Sequence, residues 1–178
     1  RTIPERLYDP VDLFFREWPG CAKPLPQTLA FVRELKERGI PVYLLSNAPT
    51  YFADYMKDHE ILKPFDGILF SAPIHMAKPD QEIYEYFFRK FDLNPSECFF
   101  IDDLEKNIQG AKDAGMDGII FTGDIQAVKD AIDFDKTAMD FSKDTTGFSF
   151  KNHPGRVQAA IKPAPLLALQ ISHFELPL

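Results

Sequence analysis

The sequence predicts an α/β fold, a Rossmann-like parallel sheet with flanking helices. Two observations support this prediction. Short apolar runs of strand length alternate with helical patterns of about ten residues, and this alternation is typical of right-handed βαβ units. The runs lack the polar alternation of half-exposed strands, as expected when both faces of a sheet are covered.

The helices are predicted from apolar residues spaced three or four positions apart. The most regular pattern covers Gln81–Phe91, where Asp80 is well placed as the N-cap. A first helix begins near Gln27, and Gly39 provides its stop. The other predicted helices are Tyr51 to about His59, Lys106–Ala114, and the segment defined by Ile125, Val128 and Ile132.

The strands are predicted where short apolar runs lie between these helices. The carboxyl ends of parallel strands meet at one edge of a sheet, where ligands bind. Ser46 and Asp102 lie at the ends of two runs, and Lys78 lies in the loop after another. We therefore expect three polar motifs on one rim. The predicted strands are Ile40–Leu45, Ile68–Phe70, Cys98–Ile101 and Gly118–Phe121.

Composition and charge argue against several classes of protein. With 178 residues, 45% of them hydrophobic and 26% charged, one globular domain is expected. The net charge of −7 and the lack of basic clusters argue against nucleic-acid binding. No apolar run approaches ~18 residues and no signal-peptide pattern is present, so no membrane span is expected. The two cysteines, Cys21 and Cys98, fit a reducing cytoplasm, and Cys98 is expected to be a buried thiol.

The adjacent carboxylates of Asp102 and Asp103 follow four apolar residues. Burying them is costly unless a cation or hydrogen-bond donors lie opposite. Mg²⁺ takes oxygen ligands, typically one or two carboxylates with water and substrate phosphate. A magnesium site is one interpretation of the pair, and an acidic pair at a solvated strand end is the other.

Two further motifs have a chemical and an ordinary interpretation. Ser46 and Asn47 offer a hydroxyl and an amide at a strand end, which can hold a phosphate oxygen or simply cap a turn. Lys78 is a point charge suited to a phosphoryl group, or a solvated lysine before a helix. The four histidines have no metal-ligand spacing, so structural or surface roles are expected for them.

Taken together, these motifs resemble a known family. Leu44–Asn47, Ala77–Asp80 and Phe99–Asp103, the last followed by Asn107 and Gly110, are similar to the second, third and fourth motifs of the haloacid dehalogenase superfamily. The commonest members of that superfamily are phosphatases. The resemblance runs in the same order along the chain, and each interval between motifs accommodates one strand and one helix.

The resemblance implies a role for each matching residue. Ser46 and Asn47 would bind phosphate, and Lys78 would orient the phosphate and the nucleophile. Asp102 and Asp103 would hold Mg²⁺, and Asn107 would support the acid pair. The implied activity is that of a Mg²⁺-dependent phosphomonoesterase acting on a small phosphorylated metabolite in the cytoplasm.

The first motif of the family, an Asp-x-Asp carrying the nucleophile, is missing before Ser46. The resemblance therefore implies that the chain as given is inactive. It also implies that a central strand is absent between Ile40–Leu45 and Cys98–Ile101. Two strand edges would then be unpaired. We expect a marginal or aggregation-prone product unless the tail or another chain fills the gap.

The resemblance, which covers roughly Pro24 to Phe121, suggests three regions. Residues 1–24, with Trp18, are expected to be the remnant of a helical cap. Residues 25–141 would form the α/β core without its first strand. Residues 142–178 form an irregular tail of unknown role, in which Leu166–Ile171 is expected to make one short helix. The chain begins at Arg1 rather than Met, which is compatible with a fragment.

Several alternatives remain open from the sequence. The chain is compatible with a non-catalytic module that binds phosphate or a partner, or with a fragment of an incomplete gene. A haloacid dehalogenase is less favoured, because its chemistry needs no Mg²⁺ and has little use for two adjacent acids. A permuted first motif at Asp133–Thr137 is disfavoured, because Val128–Ile132 before it has a helical pattern. The sequence does not indicate the substrate or the oligomeric state.

Overall fold

The computed structural model describes residues 4–9, 12–13, 17, 23–132, 166–169 and 174–175. Of residues 23–24, 166–169 and 174–175 only the backbone is described. A short 3₁₀ helix, Glu5–Leu7, precedes the main elements. These are β1 (Lys23–Pro24), α1 (Pro26–Glu37), β2 (Val42–Ser46), α2 (Thr50–Met56), β3 (Gly67–Phe70), α3 (Gln81–Phe91), β4 (Cys98–Asp102), α4 (Glu105–Asp113), β5 (Asp117–Ile120), α5 (Ile125–Ala131), β6 (Leu166–Leu169) and β7 (Phe174–Glu175).

The main sheet has five parallel strands in the order β3-β2-β6-β4-β5. A separate antiparallel pair joins β1 to β7, with Lys23 opposite Glu175. The predicted Rossmann-like α/β fold is confirmed. Because all five main strands run in the same direction, their carboxyl ends form one rim.

Two hydrophobic clusters cover the two faces of the sheet. One contains side chains from α1, α2 and α5, and the other contains side chains from α3 and α4. The strands contribute to both clusters: Leu44 faces the first, and Leu45 and Phe100 face the second. Cys98 is buried in the second cluster as predicted, and burial raises the pKa of its thiol to about 11.

The helix and strand predictions over residues 27–132 are confirmed with small shifts at the ends. Gly39 ends the first helix with a left-handed φ of 73°. The helix α3 has the predicted bounds, but the side chain of Asp80 makes no capping hydrogen bond. A side-chain cap that the pattern missed is Asp124, whose carboxylate accepts hydrogen bonds from the backbone N–H groups of Gln126 and Ala127.

The predicted helix over Leu166–Ile171 is wrong, since Leu166–Leu169 is the strand β6. This strand lies between β2 and β4, where a gap was expected, and pairs with both. A run of four aliphatic residues is too short for a stable helix, whereas a central strand gains hydrogen bonds along two edges. The two edges that were expected to be unpaired are therefore paired by the tail.

Other predictions fall partly or wholly outside the described residues. Trp18, Cys21 and Asp133–Thr137 are among them, so the three-region division stays a prediction. The helical pattern before Asp133 is confirmed, because α5 covers Ile125–Ala131. In the described parts of the chain, no helix has the length and apolar character needed to cross a membrane.

The close packing of α4 on the loop before α3 gives a first prediction. A Cβ added at Gly110 would lie 2.6 Å from the carbonyl oxygen of Pro79 and 3.0 Å from the ring of Tyr84. We expect Gly110→Ala to lower the free energy of unfolding by about 1–3 kcal/mol, because extra atoms are forced into a packed interior. Urea unfolding at equilibrium measures this change.

The matched control is Gln109→Ala, at an exposed position of the same helix. It should change the free energy of unfolding by less than about 0.5 kcal/mol. A stabilised Gly110→Ala variant, as in an unobstructed helix where alanine gains about 1 kcal/mol over glycine, would contradict this packing.

Candidate active site

Three polar motifs meet at the carboxyl rim of the sheet. Ser46 ends β2, Asp102 ends β4, and Lys78 lies in the loop between β3 and α3. The Nζ of Lys78 donates a hydrogen bond to Oδ2 of Asp102 at 2.9 Å, and neither side chain is exposed. The sequence placed these residues on one rim, and the structure brings two of them into a buried ion pair.

The ammonium group of Lys78 joins two strands that are not neighbours in the sheet. It donates a second hydrogen bond, of 2.7 Å, to the carbonyl oxygen of Leu45 in β2. It also lies 5.2 Å from the centre of the Phe100 ring in β4. Since β6 lies between β2 and β4, Lys78 connects the two strands that flank the central one.

The loop that carries Lys78 is fixed by Asn47. The Nδ2 of Asn47 donates to the carbonyl oxygen of Lys78, and the backbone N–H of Lys78 donates to Oδ1 of Asn47, both at 2.9 Å. The peptide bond between Lys78 and Pro79 is cis. Asn47 therefore positions Lys78, a contact that the sequence did not predict. Phosphate binding by Asn47 stays a prediction.

The second oxygen of the Asp102 carboxylate is held by the start of α4. Oδ1 of Asp102 accepts hydrogen bonds from the backbone N–H of Leu104 at 2.8 Å and from Nδ2 of Asn107 at 2.9 Å. Asn107 was expected to support the acid pair, and it lies in contact with its first member. The Oδ1 of Asn107 is buried and has no hydrogen-bond partner in the described residues.

Two residues that the sequence analysis missed stabilise this arrangement. The hydroxyl of Tyr84 donates to the backbone oxygen of Asn107 at 2.8 Å, and its ring packs edge-on against Phe100. Ser71 donates its N–H to the carbonyl oxygen of Ser46 at 3.0 Å, and its Oγ accepts from the N–H of Ala48. Only the apolar spacing of Tyr84 was visible in the sequence, and nothing there indicated where its hydroxyl would bind.

Burial controls the electrostatics of the ion pair. Loss of solvation lowers the pKa of Lys78 from 10.5 to about 8, although Asp102 and Asp103 act in the opposite direction. The amine therefore remains mostly charged at neutral pH. Burial also raises the pKa of the Tyr84 phenol, with a further contribution from Asp102, so this hydroxyl stays a hydrogen-bond donor.

The acid pair has the donor chemistry of a magnesium site but supplies only part of one. Asp103 is half-buried beside Asp102, whose two carboxylate oxygens already accept hydrogen bonds from Lys78, Leu104 and Asn107. Mg²⁺ takes six oxygen ligands and usually keeps several waters beside one or two carboxylates and a phosphate. The described residues contain no group of three or more histidine, cysteine, aspartate or glutamate side chains that could hold a metal ion. The two carboxylates and the unpartnered Oδ1 of Asn107 are compatible with a Mg²⁺ site in which water and phosphate supply the remaining oxygen ligands.

Histidine contributes nothing to this rim in the described residues. The Nδ1 of His59 accepts a hydrogen bond from the N–H of Ile61, which is a local structural contact. His75 adopts a left-handed φ of 57° after a short 3₁₀ helix. His153 and His173 lie outside the described residues.

Comparison with known proteins supports one family. A model of haloacid dehalogenase-like hydrolases matches residues 7–115. A sesquiterpene phosphatase of Aspergillus oryzae is 37% identical over 109 residues, which are 61% of this chain and 56% of that protein. An (S)-2-haloacid dehalogenase of Pseudomonas sp. (strain YL) is 32% identical over 82 residues, 46% of this chain and 35% of that enzyme. The chain thus spans only part of the length of these relatives.

A solved structure agrees with the fold. A mutant of a haloacid dehalogenase family enzyme from Bacteroides thetaiotaomicron, crystallised with magnesium and inorganic phosphate, has a TM-score of 0.56 and 26% identity. The match covers 65% of this chain and 64% of that chain.

The buried ion pair gives a second prediction. We expect Lys78→Met to lower the free energy of unfolding by about 3–5 kcal/mol, because it leaves the Asp102 carboxylate buried without its cation. Adding Asp102→Asn should recover much of this loss, since the asparagine keeps an oxygen for the N–H of Leu104 and removes the charge. Equilibrium urea unfolding of the single and double variants measures both values.

The control is Lys63→Met, which removes an exposed ion pair with Glu60. A change within about 0.5 kcal/mol is expected there. A double variant no more stable than Lys78→Met alone would show that charge burial is not the main cost.

The lowered pKa of Lys78 gives a third prediction. Between pH 8 and 10.5 the unfolded chain retains the Lys78 proton and the folded chain loses it. The unfolded state then binds more protons, so the contribution of Lys78 to the free energy of unfolding rises with pH in this range. NMR of lysine labelled with ¹³C at Cε, with Lys78→Arg to assign the signal, should show one midpoint near pH 8. A Lys78 midpoint above 10 would contradict the burial effect.

Proposed function

Since this chain belongs to the haloacid dehalogenase-like hydrolase family, we propose that its rim is the phosphate- and magnesium-binding part of a phosphomonoesterase site. The substrate class is a small phosphorylated metabolite. A cytoplasmic location, without nucleic-acid or membrane partners, belongs to the same proposal. The observation that carries it is the buried Lys78 ammonium paired with Asp102, next to a second carboxylate, Asp103.

Each residue of the rim has a role in this proposal. Lys78 places a fixed positive charge where a phosphoryl group carries negative charge, and fixed charges of this kind stabilise transferring phosphoryl groups. Ser46, at the end of β2, would bind a phosphate oxygen. Asp102 and Asp103 would hold Mg²⁺, which when bound supplies charge neutralisation to the phosphate. Asn47 orients Lys78, and Asn107 orients Asp102.

The acid pair favours phosphate ester over haloacid chemistry. Lys78 already balances the buried carboxylate of Asp102, and Asp103 adds a second negative charge beside it at the rim. A divalent ion such as Mg²⁺ binds carboxylate oxygens and phosphate oxygens together. Dehalogenation within the family needs no such ion, so it would leave the two adjacent carboxylates without a role in the reaction.

The given sequence has no candidate nucleophile at either of the two positions where one would be expected, before Ser46 or directly after β6. No Asp-x-Asp precedes Ser46 within the given residues, and the residue that follows β6 in the sequence is Gln170, an amide. We therefore propose that these 178 residues alone bind phosphate with Mg²⁺ and do not turn it over. The observation that favours binding is the intact ion pair, which persists without a nucleophile.

Calorimetric titration with MgCl₂ and inorganic phosphate tests this function. Wild type should bind phosphate more tightly with Mg²⁺ than without it. Asp103→Asn should weaken Mg²⁺ binding at least about tenfold, because it removes a charged ligand, and even the loss of a residue that only orients a metal ligand typically costs 10–100-fold. Asp103 is only half-buried, so this variant is expected to fold.

The matched control is Asp113→Asn, whose carboxylate accepts an exposed hydrogen bond from Gln109. It should bind Mg²⁺ as wild type does. Equal affinities for wild type and Asp103→Asn would overturn the metal assignment. Another outcome is that wild type releases p-nitrophenol from p-nitrophenyl phosphate in a Mg²⁺-dependent way that Asp103→Asn abolishes. That result would support the metal site and overturn the proposal that these residues are inactive.

A further inference from the structure

The facing edges of β2 and β4 form a groove at the centre of the sheet, and β6 occupies it. Within β6, Ala168 lies opposite Tyr43 of β2 and opposite Phe100 of β4. The register covers three residues of β2 and four of β4. A strand paired along both edges satisfies backbone groups that the walls would otherwise leave unpaired.

The strand in this groove is not part of the consecutive βαβ units that form the rest of the sheet. The other four strands follow one another through helical connections, as in βαβ units. In contrast, residues 132–165 separate β6 from the end of α5. The occupant is therefore an added segment that joins the sheet from a distant part of the chain.

The groove accepts only a particular kind of strand. The residues of its walls are buried on both faces: Leu44 and Ile101 contact one helical layer, and Leu45 and Phe100 contact the other. A strand between them must be apolar on both faces and runs parallel to the walls. Leu166–Leu169, read as Leu-Leu-Ala-Leu, is the only run of four aliphatic residues in the sequence of residues 133–178.

We propose that the groove between β2 and β4 is a strand-binding site whose occupant is the chain's own Leu166–Leu169 segment, and which binds the same sequence as a separate peptide once that segment is disabled. The recognition is by backbone pairing on two edges, and the apolar walls require an aliphatic sequence. Strand addition of this kind gives affinity through main-chain hydrogen bonds.

Lys78 connects the groove to the rim, because its ammonium group is hydrogen-bonded to both walls of the groove. Its Nζ binds Leu45 on one wall and Asp102 on the other. With an occupant the two walls are separated by two strand spacings, about 9.5 Å. An empty groove would let the walls move, and both hydrogen bonds of Lys78 depend on their separation.

Hydrogen–deuterium exchange on the full wild-type chain is the first test. The amides of Leu166–Leu169 should exchange as slowly as those of β4, with the protein monomeric by light scattering. Exchange of these four amides at the rate of an unstructured chain would overturn the proposal. Slow exchange found only in a dimer would overturn the choice of occupant, since a second copy would then supply the strand.

A proline pair is the second test. Ala168→Pro removes a ladder N–H from the middle of β6, which a central strand does not tolerate. Ala164→Pro is the matched control, outside the strand and between two existing prolines. Ala168→Pro should lower the melting temperature well below that of Ala164→Pro. Equal melting temperatures would overturn the proposal.

A labelled peptide of residues 164–171 completes the test. It should bind Ala168→Pro at least tenfold more tightly than wild type, in which the groove is filled, and a peptide with proline at position 168 should not bind. If Ala168→Pro does not fold alone, refolding with the peptide should recover folded protein. Failure of the peptide to bind or to restore folding would overturn the strand-binding site.

Discussion

The buried ion pair between Lys78 and Asp102 is the constraint on which the rim depends. Two charges removed from water are stable only if every remaining donor and acceptor finds a partner. Leu45 supplies a second acceptor for the ammonium, and Leu104 and Asn107 supply donors for the carboxylate. The strand ends and the first turn of α4 are thereby held in one arrangement, because moving any of them exposes a charge to an apolar interior.

The partners of this pair are distant in sequence. Lys78 is 33 positions from Leu45 and 24 from Asp102, so these contacts form only when separate βα units have docked. A further long-range contact joins two helices on the same face of the sheet, since the hydroxyl of Tyr84 in α3 donates to the backbone oxygen of Asn107 in α4. The rim is therefore held by contacts between separate elements of the fold and not by one local loop.

Much of this arrangement could be predicted from the sequence, for identifiable reasons. The bounds of α3 follow from a regular apolar stripe, and the shared rim follows from polar residues at the ends of parallel strands. Three features could not be predicted. Leu-Leu-Ala-Leu has no period that separates helix from strand, so the placement of β6 depended on the vacant edges of β2 and β4. The bonds of Asn47 to the Lys78 backbone and of the Tyr84 hydroxyl depend on tertiary geometry, which spacing along the chain does not encode.

The central strand and the rim place different requirements on the sequence. Backbone pairing at the centre of the sheet requires only a short extended segment, and Leu166–Leu169 provides one. Chemistry at the rim requires particular polar atoms at particular strand ends, and few substitutions preserve them. The fold therefore restricts the choice of residues at the centre of the sheet less than the chemistry restricts it at the rim.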